Sequence, residues 1–321
     1  MAPSPDVRVA VTLGDPRGIG PEVAARGLAA VGAGPHAAWI VGPAECESDF
    51  AGLGRFVAVG GGAGLDPGRA AGLAIERAVE LALAGQADAL VTAPVHKPAL
   101  AAAGYHPGHT EMLMALTGSG EVGMVMCDEG GADEDRPAKR VLLATIHIPL
   151  RGVAEALTED LLVSRTRLLG RALRGDWGLA KPRIALCALN PHASDDGMFG
   201  TEERAVYGPA LERLSGGPWS VTGPVPADTV FVRAFRGEFD AVVAPYHDVG
   251  MAAFKTASFG RGVNATIGLP FIRTSPDHGT AFDIAGQGVA DPSSMIEALR
   301  LAIRLAGARR RGRVRSGSSR P

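Results

Sequence analysis

The stretch Asp240-Ala241-Val242-Val243-Ala244-Pro245-Tyr246-His247-Asp248 decides the fold class. Its apolar core is too short for an ordinary helix, and its unbroken hydrophobicity suits a strand covered on both faces. Proline ends the run, and the residues just beyond it are Tyr, His and Asp. The same order recurs upstream. Residues 87–92 (ADALVT) lead to His96-Lys97, 141–146 (VLLATI) to His147, and 183–189 (RIALCAL) to Asn190-Pro191-His192. Residues 7–13 and 37–41 are similar runs. Longer Ala- and Leu-rich segments with helical spacing lie between them, at 72–84, 159–174 and 202–214. A last helix at 293–306 follows Asp291-Pro292, a capping residue with proline near the first turn. Buried strands alternating with helices predict an α/β fold with a mainly parallel sheet. There is no internal repeat.

Composition bounds the rest. The 321 residues suffice for one large α/β unit or two lobes. Hydrophobic residues at 46% and charged residues at 21% exclude a disordered chain. A net charge of −2 gives the body of the protein no electrostatic basis for holding nucleic acid. The exception is residues 309–315 (RRRGRVR), read with the rest of 308–321 as a solvated tail beyond a catalytic unit of 1–307. Three isolated cysteines without CxxC spacing predict a reducing compartment. With neither a signal-peptide pattern nor an apolar run of membrane-spanning length, the expected location is cytoplasmic, with no membrane partner. Residues 128–140 (DEGGADEDRPAKR) read as a solvated, mobile loop between two strands.

Four of the eight histidines therefore stand just beyond strand ends. Ligands of open parallel sheets bind at that edge, and three imidazoles with an open position make a catalytic metal site. One such histidine is more often a hydrogen-bonded structural residue; four at one edge shift the balance towards a site. Position alone leaves open which three bind. Three other segments suit anions. Residues 14–22 (GDPRGIGPE) form a Gly-rich turn before a helix, which serves either an anion or only a tight connection. Gly108-His109-Thr110-Glu111 opens a helix, with Thr110 as its expected cap. Residues 255–273 hold Lys255, Arg261, Asn264 and Arg273, cations and an amide suited to phosphate and carboxylate, or else a surface loop with scattered charges.

The motifs together are specific. TLGDPRGIGPEV (12–23), TAPVHK (92–97), GHTE (108–111), TIHIPL (145–150), LNPHA (189–193), GTEE (200–203), GPVPADT (223–229), YHD (246–248) and GRGVNATIGLPFIRTSPDHGTAFDIAG (260–286) occur in order. The chain resembles the 4-hydroxythreonine-4-phosphate dehydrogenase family of vitamin B6 biosynthesis, to about residue 306. More distantly, 278–292 and the N-terminal segment are similar to isocitrate and isopropylmalate dehydrogenases. The resemblance implies a two-lobed α/β/α sandwich of that type, with lobes discontinuous in sequence and the active site in the cleft between them. It implies metal ligands at His147, His192 and His247, and substrate contacts at His109, Thr110, Lys255, Asn264 and Arg273. His96 drops out as a ligand; His96-Lys97, Asp228 and Asp248 are candidates for orienting groups behind the ligands. His278, Gly279 and Asp283 are candidate cofactor contacts. It further implies a homodimer whose metal ligands come from both chains. Histidine ligands favour zinc, with magnesium or cobalt as alternatives. NAD is the expected cofactor, with NADP left open because no basic residue is assigned to a ribose 2′-phosphate. Val249, Arg17 and Pro276 depart from the family's usual Gln, Ala and Val.

The implied reaction is oxidation of 4-phosphooxy-L-threonine, followed by decarboxylation to 3-amino-2-oxopropyl phosphate. Related enzymes oxidise threonate or erythronate 4-phosphates or aromatic cis-dihydrodiols, and the GHTE segment, Lys255 and Arg273 favour a phosphorylated substrate. A reading from another class is a non-catalytic metal or anion binder, or a scaffold using its basic tail. Reduction of a nicotinamide cofactor with any substrate excludes it.

Overall fold

The short apolar runs become strands, and the computed structural model describes residues 7–32, 38–60, 64–130 and 136–317, with side chains as far as Arg311. In chain order the strands are β1 (Val9–Thr12), β2 (Ala38–Pro43), β3 (Arg55–Val59), β4 (Ala89–Thr92), β5 (Gly123–Asp128), β6 (Lys139–Leu143), β7 (Arg183–Cys187), β8 (Ser220–Val225), β9 (Ala241–Ala244), β10 (Val263–Ile267) and β11 (Ile272–Pro276). The chain divides into a first unit, Met1–Val122 with Val263–Pro321, and a second, Gly123–Gly262.

In the first unit the strand order is β3-β2-β1-β4-β11-β10. Every pair is parallel except β10 with β11. All residues of β1 and β4 are buried, as expected for strands covered on both faces. The chain moves from β1 outward to β2 and β3, then returns to place β4 on the other side of β1. The carboxyl ends of β1 and β4 thus flank a topological switch point. The helix Pro67–Leu83 starts at Asp66, whose carboxylate accepts the Arg69 N–H at 2.9 Å, with proline in its first turn. It packs Ile75, Ala78 and Val79 against Leu90, Leu100 and Leu113.

The second unit has the order β5-β6-β9-β7-β8, parallel except for β5 with β6. Met126, Val141, Ala185, Val230, Phe231, Val242 and Phe254 form its core. Because β6, β9 and β7 are parallel neighbours, their carboxyl ends reach one edge, and His147, His247 and His192 follow those three ends.

Three expectations need correction. Residues 128–140 are not a solvated loop at their ends: Asp128 pairs with Lys139 and Cys127 with Arg140 across β5 and β6. Their charges are buried in pairs, Lys139 to Asp128 at 2.8 Å and Arg140 to Glu129 at 2.6 Å. Residues 131–135 lie outside the described residues. Polar composition misled because opposite charges that pair can enter an interior where single ones cannot. Next, the surface-loop alternative for residues 255–273 does not hold: from Val263 the chain forms the antiparallel β10 and β11. Last, the final helix does not stop at 306. It starts after Asp291, which accepts the Ser293 N–H at 2.9 Å, and runs Ser293–Gly317. Arg309 donates to the Pro270 carbonyl at 3.0 Å, and Arg310 lies 3.5 Å from Asp88, so this basic stretch begins docked. Residues 318–321 are outside the described ones. Among the described residues no helix is long and apolar enough to cross a membrane.

Candidate functional site

Two groups of side chains stand at strand ends, one in each unit. In the second unit, His147 follows β6 with φ of 51°, in the left-handed region. His247 opens the helix His247–Ser258 that follows β9. The two rings are 5.6 Å apart, centroid to centroid. Asp248 lies 2.7 Å from His247 Nδ1, which fixes a tautomer with the lone pair on Nε2. A small cavity of about 30 Å³ is lined by Thr145, Ile146, His147, Tyr246, His247 and Asp248.

His192 belongs to a less ordinary segment. From His192 to Asp196 every residue has positive φ, between 44° and 74°, and none is glycine. Each such residue costs roughly 1–2 kcal/mol of local conformational energy, so the turn persists only if other contacts hold it. His192 faces Phe199, with ring centroids 6.4 Å apart. Among the described residues, no three of His, Cys, Asp or Glu gather closely enough to hold a metal ion. His147 and His247 are therefore together, and His192 does not join them within one chain. Two imidazoles bound at about 2 Å to one tetrahedral ion have centroids roughly 5 Å apart, so the observed pair fits zinc in donor chemistry and spacing. Asp228 is exposed in the first turn of Ala227–Phe235, and its carboxylate meets no histidine.

In the first unit, strand register gathers polar residues on one face. Thr12 pairs with Thr92, Leu90 with Arg273, and Thr266 with Arg273, so Thr12, Thr92, Arg273, Thr266 and Asn264 share a face near the strand ends. Arg273 is 3% exposed. It donates to Thr92 Oγ1 at 2.6 Å and to Thr266 Oγ1 at 2.9 Å, and has no carboxylate partner among the described residues. Burial pushes its pKa down to about 10, which still leaves it cationic at neutral pH. Its Nε, Asn264 Oδ1, Thr12 Oγ1 and His109 Nε2 are enclosed without hydrogen-bond partners. Buried polar atoms of this kind are completed by water or by a ligand, and here Asn264 and Thr12 share the sheet face of a buried cation. Thr92 and Thr266 were missed from sequence, although Thr92 was legible as the last residue of a strand.

His109 and Thr110 start the helix His109–Thr117. The cap is Gly108, not Thr110, and no side chain caps it. Burial first, then Arg273 and Lys97, hold His109 well below its ordinary pKa, so it is neutral. The folded protein resists a proton that the unfolded chain accepts below about 6.5. Stability is therefore expected to fall with pH through and below that value, by up to about 1.4 kcal/mol per unit from this residue. Urea unfolding between pH 5 and 8 checks this: His109→Asn should flatten the profile, and an unchanged slope would remove His109 as its source.

The turn at 14–22 is a connector, not an anion cradle. Asp15 N–H donates to Pro94 O, Gly18 N–H to Asp15 O and Ile19 N–H to Thr280 O. Asp15 takes the Arg17 N–H and two bonds from its guanidinium, at 3.0 and 2.7 Å. Gly14 is required by its φ of 70° and because a Cβ would lie 2.1 Å from Pro94 O. The turn also packs on the loop expected to meet cofactor: Glu22 Oε1 accepts the Ala290 N–H at 3.1 Å, and the Arg17 guanidinium lies 5.4 Å from the Phe282 ring centre. In that loop His278 Nδ1 is 3.0 Å from Gly279 O and its Nε2 is enclosed without a partner. Gly279 and Asp283 are exposed. His96 stands at the N-cap position of Lys97–Ala102, without a side-chain capping bond, and packs edge-on against Phe282. Lys255 lies exposed in the second unit, on the helix that His247 opens.

The family model described as pyridoxal phosphate biosynthetic protein PdxA matches residues 57–302. A 4-hydroxythreonine-4-phosphate dehydrogenase of Ruegeria sp. is 43% identical, covering 96% of this chain and 99% of its own. The crystal structure of the Klebsiella pneumoniae enzyme of that name superposes with a TM-score of 0.82 at 36% identity, covering 94% of this chain and 100% of its own. A terephthalate 1,2-cis-dihydrodiol dehydrogenase from Burkholderia xenovorans follows at a TM-score of 0.67 and 27% identity, covering 92% of this chain and 97% of its own. An isocitrate dehydrogenase from Methylococcus capsulatus, 18% identical with a TM-score of 0.50, covering 96% of this chain and 88% of its own, shares the fold. On the family match, the near-complete coverage and the ordered motifs, the chain is an oxidoreductase belonging to the PdxA family of pyridoxal phosphate biosynthetic proteins.

Proposed function

We propose that the chain oxidises 4-phosphooxy-L-threonine with NAD and that the product loses CO2 to give 3-amino-2-oxopropyl phosphate. The observation that carries this reading is Arg273, a buried cation that has no carboxylate partner among the described residues and shares its sheet face with Asn264 and Thr12, whose side-chain oxygens are enclosed without partners. Such a group suits an anionic substrate, and a bidentate guanidinium contact favours phosphate or carboxylate. His109, being neutral, adds a hydrogen bond without competing charge. Thr110 and the backbone N–H groups at the start of His109–Thr117 are further candidates for the anion. His147, His192 and His247 are the residues that would hold a divalent ion, with Asp248 orienting His247. When bound, that ion supplies Lewis acidity towards a hydroxyl, and the nicotinamide accepts hydride. His278, Gly279 and Asp283 remain the candidate cofactor contacts. In the net change, a carbinol C–H leaves as hydride and its O–H as a proton; the C–C bond to the carboxylate then breaks, CO2 leaves, and the electron pair left on that carbon takes up a proton.

A homodimer follows from the same reading. Ile148 and Leu150 after His147, and Met198 and Phe199 after His192, are 40–74% exposed. Large apolar side chains beside proposed ligands suit a second copy as cover, and that copy can supply what one chain does not bring together. The expected place of action is the cytoplasm.

The test is NADH formation by purified protein on a panel. 4-Phosphooxy-L-threonine should give the highest kcat/KM, with CO2 released. A higher value for erythronate 4-phosphate, threonate 4-phosphate or terephthalate cis-dihydrodiol would replace this substrate. Elemental analysis of the same sample should find zinc rather than cobalt or magnesium.

A further inference from the structure

The motif Gly200-Thr201-Glu202-Glu203 has no part in the chemistry above, yet it holds a carboxylate that is 6% exposed. Glu203 sits at the start of the π-helical turn Glu203–Tyr207 and, among the described residues, makes no salt bridge. Its neighbours are donors. The N–H groups of Leu189 and Asn190 reach Oε1 at 2.9 and 2.7 Å. The Asn190 side-chain amide reaches Oε2 at 2.9 Å, and the Ser194 hydroxyl donates to the same oxygen. These contacts bracket His192, two to three residues before it and two after. They also grip both ends of the entry into the left-handed run that starts at His192.

We propose that Glu203 is the positioning residue for His192: its carboxylate pins residues 189–194 into the left-handed turn and so sets where that imidazole stands. Two facts combine. The turn from His192 to Asp196 is unfavourable for non-glycine residues and relaxes unless held. A buried carboxylate with four donors is the strongest restraint on it, because charge-assisted bonds are about twice as strong as neutral ones. Glu202 reinforces the arrangement, accepting Asn190 Nδ2 at 2.8 Å and the Thr201 N–H at 2.9 Å. Glu203 touches neither substrate nor metal; it acts through the backbone of the segment that carries His192.

The inference rests on His192 being a metal ligand, and the experiment separates the two. Zinc affinity is measured by competition with a chromophoric chelator, alongside the melting temperature, for wild type, Glu203→Gln, Ser194→Ala, Tyr207→Phe and His192→Ala. Tyr207 is the structural control: it is buried in the same turn and donates to Cys187 O at 2.8 Å, away from residues 189–194. Glu203→Gln is expected to weaken zinc roughly 10- to 100-fold, as losses behind a metal ligand do. Ser194→Ala should weaken it less and leave melting near wild type. Tyr207→Phe should lower melting and keep the affinity. If Glu203→Gln and Tyr207→Phe lower melting alike and neither moves zinc affinity, Glu203 is only structural and the inference falls. Should Glu203→Gln not fold, Ser194→Ala decides, and unchanged affinity there overturns it. If His192→Ala keeps wild-type affinity, the ligand assignment itself fails and the inference goes with it.

Discussion

Arg273→Met is expected to raise the melting temperature while turnover collapses. In the free protein this guanidinium is buried on a strand with two threonine hydroxyls and, among the described residues, no counter-ion. Replacing a buried ion pair with apolar side chains of similar volume is often neutral or stabilising by about 1–4 kcal/mol, and a buried cation with no ion partner gives up the same desolvation cost. For units of this size each kcal/mol moves melting by about 2–4 °C. Activity should move the other way. Truncating one side of a buried, hydrogen-bonded charge pair costs about 2–5 kcal/mol, or roughly 30- to 4,000-fold in kcat/KM. Calorimetry and initial rates on one preparation read both. Inorganic phosphate should raise the melting temperature of wild type and not of the variant. A variant that melts lower would mean that Arg273 ties β4, β10 and β11 together through Thr92 and Thr266, rather than awaiting an anion.

The second large effect concerns the histidine edge. His247→Ala should abolish stoichiometric zinc and reduce NADH formation to background, because it removes one of the two rings that are already adjacent. Asp248→Asn tests the arrangement more finely. Its carboxylate fixes the His247 tautomer but is 86% exposed, so solvent screens it and water can replace it in part. The loss of zinc affinity should lie near the lower end of the usual range, about tenfold. Chelator-treated wild type should behave as His247→Ala does and recover on adding zinc, whereas the variant should not recover. Full activity in metal-free protein would sink the metal reading altogether.

The parts of the fold legible in the sequence were those where apolar residues run unbroken. β1, β4, β7 and β9 fall within or at the expected runs because both their faces are covered. β10 and β11 were hidden because their inner face is polar: Asn264, Thr266, Arg273 and Ser275 sit where a strand pattern demands hydrophobes. Those same residues form the anion face, so the function disguised the strand. A strand on each side of the acidic run was expected, but the run hid how far β5 and β6 extend into it and the two ion pairs it holds. At the histidine edge, strand-end position found all three candidate ligands but could not show that two are adjacent and the third stands apart. Glu203 was invisible for another reason: nothing in a sequence distinguishes a buried carboxylate bonded by four donors from a solvated one.

One feature of the layout governs how the molecule is made. The first unit takes its strands from both ends of the chain, and about 140 residues of the second unit are translated between them. At about 5–20 residues per second, the ribosome emits that insert in roughly ten to thirty seconds. Throughout that interval β4 stands with one flank unpaired, because its neighbour β11 does not yet exist. The inserted unit is contiguous and can fold first; the sheet that carries Arg273 closes only near the end of synthesis. The buried cation is thus sealed in as one of the last acts of folding, and a nascent chain stalled before residue 273 is an edge strand waiting for a partner.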